Sequence, residues 1–370
     1  MGCVTDQADL AASIPRLAAD RAQGGRGIGE ECLLQVGNER AGIRKGGIEK
    51  PPQDITMQEY AFRRSTDANP FPAMMGRVCP APCQDGCNRN DVEDFVGINA
   101  VEQYIGDAAF TQGFKFEPAP ALIGKKVAII GGGPAGLAAA YQLRRRGIAS
   151  TIFEMHPELG GMMRYGIPNY RIPRAELDRE IDRILEMGDI EVKTGTRVGQ
   201  DVSVEQLEKD YDAILWSNGC WIGRGLPLEG WEETPNCVSA VKFLEQFNKG
   251  KMKYTASKIV CVGGGDTSID VVSVARRLGH IQSTNPSERP ELVVHESYVM
   301  HDTAVTAARE GAEVTLTSLF AKENMTAAEH EVMDALTEGV TILDGVMPTE
   351  VIKGADGRAT GLKVVPCKVE

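Results

Sequence analysis

Val127-Ala-Ile-Ile-Gly-Gly-Gly-Pro-Ala-Gly-Leu-Ala-Ala-Ala140 is the stretch that decides the fold. Four apolar residues run into three glycines and a proline, and the chain then resumes in alanine and leucine, which favour helix. That order reads as strand, tight turn, helix. In the G-x-G-x-x-G pattern Gly131 makes the turn, Gly133 lets the backbone approach a pyrophosphate, and Gly136 lets helix and strand pack closely. Pro134 and Ala135 fall in the first helical turn, where N–H groups without intrahelical partners face an anion.

One such turn is weak evidence by itself, and its surroundings strengthen it. Beyond a helix over Leu137–Arg146 and a break at Gly147, a second strand, Ser150-Thr-Ile-Phe-Glu154, ends on a carboxylate. Glu154 lies 154 − 136 = 18 residues past the third glycine, where an acid accepts ribose hydroxyls. The bland alternative is a bare α/β turn with Glu154 on the surface.

At 370 residues the chain exceeds a single core and suits two or three domains. Its 42% hydrophobic and 25% charged residues describe an ordinary globular protein. The net charge of −12 argues against nucleic acid and anionic membrane as partners. No apolar stretch approaches the roughly 20 residues of a membrane span, and residues 1–20 lack the pattern of a signal peptide, so a cytoplasmic location is the expectation. Nine cysteines are too sparse for a disulfide scaffold at this length, and three of them crowd together, which points to metal ligation in a reducing compartment.

Those three stand in Gly76-Arg-Val-Cys79-Pro-Ala-Pro-Cys83-Gln-Asp-Gly-Cys87-Asn-Arg, at C-x3-C-x3-C spacing. Prolines and a glycine bend the backbone so that several sulfurs can converge, which suits an iron–sulfur cluster better than zinc, whose structural sites use paired knuckles and four ligands. Buried free cysteines are a poor alternative in such surroundings. Three thiols leave one iron of a four-iron cluster without a protein ligand. Cys32 is a candidate fourth ligand, as is Glu102 on a helix read over Val96–Ala108, although an exposed helix carboxylate is the ordinary meaning of such a residue.

Residues 1–50 read as an extended arm with a helical piece near Leu10–Ala22, and Thr111–Ile123 reads as a linker. Downstream of Glu154, the paired glycines of Leu159-Gly-Gly-Met-Met-Arg-Tyr-Gly-Ile-Pro168 let a loop lie flat against a flat ligand, which makes Gly161, Met162, Arg164 and Ile167 candidate contacts. A plain surface loop is the alternative. Arg174–Met187 carries the stripe Leu177, Ile181, Ile184, Leu185 of an amphipathic helix. Two strands follow, Glu191–Thr194 and Asp212–Trp216, the second running into Ser217-Asn-Gly219, where small residues let the backbone pass close to a cofactor.

A second turn lies in Lys258-Ile-Val-Cys-Val-Gly263-Gly-Gly265-Asp266-Thr267-Ser268, 263 − 131 = 132 residues after the first, with Ser268 in place of the third glycine. A pair of such turns in one chain points to a flavin in the first and a nicotinamide in the second. An insertion near 281–302 interrupts the second fold, and His280, His295 and His301 within and beside it read as loop residues. The strand Glu313–Thr317 leads into Ser318-Leu-Phe320, with neither the acid typical for NAD nor an arginine pair for a 2′-phosphate, which mildly favours NAD. Thr326-Ala-Ala-Glu329 reads as a capping box opening a helix to Glu338, and Val340–Leu343 and Gly361–Val369 read as strands.

Together these residues resemble the family of the small subunit of glutamate synthase, iron–sulfur flavoproteins that oxidise or reduce NAD(P). The resemblance rests on Gly76–Arg89, Ile98-Asn-Ala-Val-Glu102, Gly131–Gly136 with Glu154, Met162–Pro168 and Gly263–Asp270. The insertion after His280 and Arg309–Ser318 are similar to the branch of that family associated with dissimilatory sulfite reductase (DsrL-type). The resemblance implies an α/β architecture: a helical iron–sulfur N-terminal domain (1–123) followed by two Rossmann-like nucleotide-binding domains, FAD (124–228) then NAD (229–370). It implies FAD on the first turn, NAD(H) rather than NADP(H) on the second, and a position at Glu102 that can ligate a cluster. Only Cys32 remains of the upstream cysteine motif, so one [4Fe-4S] cluster is expected. A redox protein partner, with dissimilatory sulfite reductase foremost, and a homodimer are further expectations, as is a chain forming the N-terminal portion of a longer protein, with the C-terminal part of the FAD domain lying beyond it.

Overall fold

The computed structural model describes residues 54–92, 96–223, 225–250, 258–278 and 312–369. The chain divides into two compact units, 1–60 and 61–370. Of the first, only residues 54–60 are described, ending in the opening of helix α1 (Met57–Thr66). Cys32, the helix expected at Leu10–Ala22 and the insertion near 281–302 with its histidines lie outside the described residues.

In the second unit the cysteine-bearing segment is helical. It runs through α2 (Pro72–Val78), the single turn α3 (Pro82–Asp85), a 3₁₀ turn at Asn88–Asp91 and α4 (Ile98–Gln112). Pro70-Phe-Pro72 reads as punctuation in the sequence, yet Pro72 sits in the first turn of α2, where a missing N–H costs nothing. Helices α2 and α4 cross in backbone contact: a Cβ on Gly106 would lie 2.2 Å from the Ala73 nitrogen, and one on Gly76 2.5 Å from the Gln103 Cα.

The first nucleotide fold comprises β1 (Lys126–Ile130), α5 (Pro134–Arg144), β2 (Ala149–Phe153), α6 (Met162–Tyr165), α7 (Arg174–Leu185), β3 (Ile190–Lys193), α8 (Val204–Asp210) and β4 (Ala213–Trp216). Its sheet is parallel in the order β3-β2-β1-β4, with Val127 paired to Ser150 on one side and Ala213 on the other. The second comprises α9 (Ala240–Asn248), β5 (Lys258–Val262), α10 (Asp266–Leu278), β6 (Glu313–Thr317), α11 (Glu329–Thr337) and β7 (Thr341–Leu343), with the parallel order β5-β6-β7. An antiparallel hairpin, β8 (Val346–Lys353) and β9 (Ala359–Pro366), follows. β8 has no signal in the sequence and β9 ends at Pro366 rather than at Val369, because a hairpin with both faces half exposed has no clean alternation.

The capping box expected at Thr326 is not formed. Helix α11 begins only at Glu329; the Thr326 hydroxyl donates to the Gly264 carbonyl at 3.3 Å, and Asp266 Oδ1 accepts the Ala328 N–H at 3.1 Å. The residue that supports the start of this helix therefore comes from the second glycine turn.

Phe71, Ala73 and Met74 of the cysteine segment share one core with Ile129, Leu137, Tyr141, Ile152, Leu177, Ile181 and Ile184 of the first nucleotide fold. Met74 is fully buried there, worth about 2–3 kcal/mol in apolar transfer alone. The second fold has its own core around Val272, Val274, Val314, Leu316 and Val332, with Tyr170 of the first fold packed against it.

Arg171 joins the two nucleotide folds. Its guanidinium donates to Asp270 of α10 at 2.7 Å and to Glu331 of α11. Burial pushes the Glu331 carboxyl up to about 7, against the pull of Arg171. Replacing Arg171 by Ala takes the shared cation from these two neighbouring acids and costs on the order of 3 kcal/mol, read as a lower denaturation midpoint. An acid whose folded pKa is raised binds more protons when folded, so its contribution is full below about pH 4.5 and is lost as pH rises through about 7. Thermal stability is thus expected to fall between about pH 4.5 and about pH 7, and Glu331→Gln to flatten that slope.

Candidate functional site

Strand β1 ends where Gly131 takes φ +107°, a conformation that L side chains rarely adopt. The two backbones then approach closely: a Cβ on Gly131 would stand 2.4 Å from the Ser217 carbonyl oxygen, and one on Gly136 2.0 Å from the Gly131 carbonyl oxygen. Ser217 Oγ donates to Ile130 O and Gly131 O, tying the end of β4 to the turn. Gly133 is the N-cap of α5 and contributes no side-chain cap, Pro134 opens the helix, and Ala135 is exposed. The helix start thus presents backbone rather than side chains, which fits an anion of the pyrophosphate kind.

Glu154 is 5% exposed, and both its oxygens accept backbone N–H groups, Oε2 from Gly132 at 2.7 Å and Oε1 from His156 at 2.8 Å. It braces the middle of the turn, with further lone pairs for ribose hydroxyls. The loop Leu159–Gly161 packs on the same turn: the Gly160 N–H donates to Gly132 O at 2.8 Å, and a Cβ on Gly161 would stand 2.7 Å from the Gly133 Cα. Met162 is half-buried at the start of α6. Arg164 is buried and held by the Leu159 carbonyl, Asp178 and Glu158, so its guanidinium is engaged inside the protein. Ile167 uses its carbonyl to accept from Arg174 at 2.8 Å. Gly219, at φ +65°, lies exposed beyond β4.

A cluster missed in the sequence closes this region. His156 packs against the rings of Tyr165 and Trp221, with centroids at 4.5 and 4.7 Å, and Lys249 Nζ is 3.3 Å from its Nδ1. Burial, then the Lys249 ammonium, holds His156 below its ordinary pKa, so the ring is neutral near pH 7. From the second fold, the Asn248 amide donates to the carbonyls of Tyr165 and Gly166 at 3.0 and 3.1 Å. The segment Met162–Pro168 is therefore the one on which helix α9 rests.

The second turn repeats the first with altered parts. Gly263 has φ +142°, and its absent Cβ would meet Ser268 Oγ at 2.4 Å. Met325–Ala328 plays the part of Leu159–Gly161, its Ala327 N–H donating to Gly264 O at 3.0 Å. Ser318 follows β6 as Glu154 follows β2 and also faces the middle glycine, its Oγ 2.7 Å from a Cβ built on Gly264. Gly265 also lies under this segment, while Asp266 and Thr267 are exposed at the start of α10. A short neutral hydroxyl thus stands where the first fold has its acid.

Cys79 ends α2 in extended backbone, Cys83 lies in α3 and Cys87 caps the 3₁₀ turn; Cys79 and Cys83 are exposed, and none is disulfide-bonded. Ala81 takes φ +54° between them and donates its N–H to Cys79 Sγ at 3.4 Å. Asn99 fastens this bend to α4 through Cys79 O and Gln84 Oε1. Among the described residues no three Cys, His, Asp or Glu side chains are gathered to hold one metal ion. A four-iron cluster bonds each thiolate to a different iron, so three unpaired thiols on one bend, two of them exposed, with an N–H donor to sulfur fit its chemistry. Glu102 is half-buried on α4, its Oε1 accepting from the Asn69 amide at 2.7 Å. A polar cleft of about 380 Å³ beside Cys79 is lined by Arg77, Asn99, Arg171, His330 and Glu331.

The profile of the pyridine nucleotide-disulphide oxidoreductase family matches residues 125–367. This chain belongs to that family. A second profile, dihydropyrimidine dehydrogenase domain II, 4Fe-4S cluster, matches residues 53–114 and so covers all three clustered cysteines and Glu102. The chain is 34% identical over 307 residues to the glutamate synthase [NADPH] small chain of Mycobacterium tuberculosis, covering 77% of this chain and 62% of that protein. It is 34% identical over 328 residues to the NADPH-Fe(3+) oxidoreductase subunit beta of Geobacter sulfurreducens (86% and 44%) and 36% identical over 244 residues to the glutamate synthase [NADH] of Saccharomyces cerevisiae (63% and 11%). It therefore spans less than two thirds of each of these relatives. The family-level expectation of an oxidoreductase with FAD, nicotinamide nucleotide and 4Fe-4S domains holds.

Gly136→Ala forces a methyl group into the Gly131 carbonyl, so the strand–helix contact must open. The expected result is at least tenfold weaker FAD binding in a fluorescence titration, with the iron–sulfur absorbance retained.

Proposed function

We propose that this chain moves electrons between a nicotinamide dinucleotide, FAD and one [4Fe-4S] cluster, and serves as the electron-transfer part of a larger NAD(P)H:acceptor oxidoreductase. The observation that carries the reading is the core shared by the cysteine helix and the first nucleotide fold. A cluster-bearing segment packed into a flavin fold has an electron-transfer use that neither part has alone.

When bound, FAD exchanges a hydride with the nicotinamide and the cluster takes up electrons singly. The residues of the chain position these groups. Gly131, Gly133 and Gly136, with the start of α5, take the FAD pyrophosphate, and Glu154 takes its ribose while bracing the turn. Gly161, Met162, Arg164, Ile167 and Gly219 shape the walls, with Arg164 acting through the loop it pins. Gly263, Gly265, Asp266, Thr267 and Ser268 take the nicotinamide nucleotide. Cys79, Cys83 and Cys87 ligate the cluster, with Cys32 or Glu102 as fourth ligand. No general acid or base is assigned.

The absence of an arginine pair after β6 supports NAD(H) over NADP(H), and the neutral Ser318 weakens the usual means of excluding a 2′-phosphate. For the partner, the similarity of Arg309–Ser318 to the DsrL-type branch supports dissimilatory sulfite reductase in cytoplasmic sulfur metabolism. The likeness to glutamate synthase small chains supports, with equal weight, a large amidotransferase subunit. Among the described residues no helix is long and apolar enough to cross a membrane.

Anaerobic stopped-flow mixing with NADH and with NADPH tests the core of the reading. Flavin absorbance bleaches with at least one of them, and no bleaching with either overturns it. Cys83→Ser removes the cluster signal from the electron paramagnetic resonance (EPR) spectrum and leaves the flavin; an unchanged signal rejects the ligand assignment. Pull-downs against the two candidate partners separate the two partner readings.

A further inference from the structure

The stripe of α7 that faces the first nucleotide fold is apolar, Leu177, Ile181 and Ile184 being buried in its core. Two charged residues on the same helix are buried as well, and both face the cysteine segment. Arg183 lies over the rings of Phe62 and Phe110, at 4.9 and 4.2 Å from their centroids. Glu180 is 0% exposed, and its two oxygens accept the N–H groups of Ala73 at 2.9 Å and Met74 at 3.0 Å, in the first turn of α2. Helix α2 has no side-chain cap of its own. Its orphan N–H groups are satisfied instead by a carboxylate more than 100 residues away in sequence, on a helix of the flavin fold. Cys79 sits at the other end of this same helix, about 8 Å further along the axis at 1.5 Å per residue.

Apolar packing fixes how deep α2 sits but tolerates sliding and rotation, because dispersion contacts are not directional. Two hydrogen bonds to one rigid carboxylate fix both. Burial pushes the Glu180 carboxyl up to about 8, and the two N–H bonds pull in the opposite direction. The carboxyl group is held in place by its contact with α2.

We propose that Glu180 is a positioning residue for electron transfer, seating the cysteine helix on the flavin fold and so fixing the gap between flavin and cluster. This rests on the function proposed above, in which Cys79, Cys83 and Cys87 hold a cluster reduced by way of the flavin. Glu180 touches neither cofactor. Removing it leaves hydride transfer from the nicotinamide to the flavin intact and lets the cluster drift relative to the flavin.

The test uses the full chain, anaerobic and loaded with FAD and cluster, as wild type, Glu180→Gln and Glu180→Ala. Gln keeps the volume and one acceptor oxygen but turns an N–H₂ group towards the second backbone N–H. After mixing with NADH or NADPH, flavin bleaching and the rise of the reduced-cluster EPR signal are followed separately, the latter per bound cluster. Each nicotinamide delivers two electrons to the flavin as a hydride, of which the cluster accepts one and the flavin keeps the other. Bleaching is expected to stay within twofold of wild type, while cluster reduction slows at least tenfold in Glu180→Ala and to an intermediate degree in Glu180→Gln. Amide hydrogen exchange in cluster-free protein is expected to rise at least tenfold at Ala73 and Met74 in Glu180→Ala.

Unchanged cluster reduction, or exchange unchanged at both amides, overturns the proposal. Parallel loss of bleaching and cluster reduction also overturns it, because that pattern belongs to general destabilisation. If wild type itself shows no bleaching, the proposed function fails instead, and the exchange measurement still reports on the Glu180 contact.

Discussion

The approach of two backbones at the first glycine turn is the constraint on which the rest depends. Strand β1 and helix α5 come so close that the Gly131 carbonyl occupies the place of a side chain on Gly136, and β4 closes against Gly131 from the other side. With no side chains in the gap, the start of α5 offers backbone N–H groups to a phosphate. Everything downstream is built outward from this contact. Glu154 and Gly160 hold the middle glycine from either side, and the loop they belong to carries the surface on which the second fold rests.

The two nucleotide folds follow one plan with different parts. In each, the residue after the second strand faces the middle glycine, and a later segment donates an N–H to that glycine's carbonyl. The first fold uses a buried acid and a pair of glycines, while the second uses Ser318 and Met325–Ala328. The chemistry diverges where geometry does not require identity. Arg171 then spans the two folds with its bonds to Asp270 and Glu331. A planar guanidinium suits this position, since it can serve two carboxylates in one plane.

Much of this is legible in the residues. The glycine turns, the parallel strands and the stripe of α7 follow from local pattern, because steric demand and apolar periodicity act over a few residues. What escaped is what depends on distant partners. Helix α2 looks like a proline-broken loop until Met74 meets the flavin-fold core and Glu180 reaches its N–H groups. Thr326 has the spacing of a cap, but the turn beneath it takes the hydroxyl first. The tie of Arg164 to Asp178 and to the Leu159 carbonyl has no local signal. His156, Trp221 and Lys249 come from three separate stretches and carry no shared motif. Glu180 sits in the amphipathic pattern as one more polar position, and only its complete burial distinguishes it.

In the proposed function one chain joins a flavin and an iron–sulfur cluster through a shared core. The most direct test is the cofactor content of the full chain purified without oxygen, by iron, sulfide and flavin analysis with an EPR spectrum after reduction. One FAD and one four-iron cluster per chain are expected, the cluster EPR-active when reduced. A chain that binds FAD and carries no iron, or holds zinc on Cys79, Cys83 and Cys87, would contradict it.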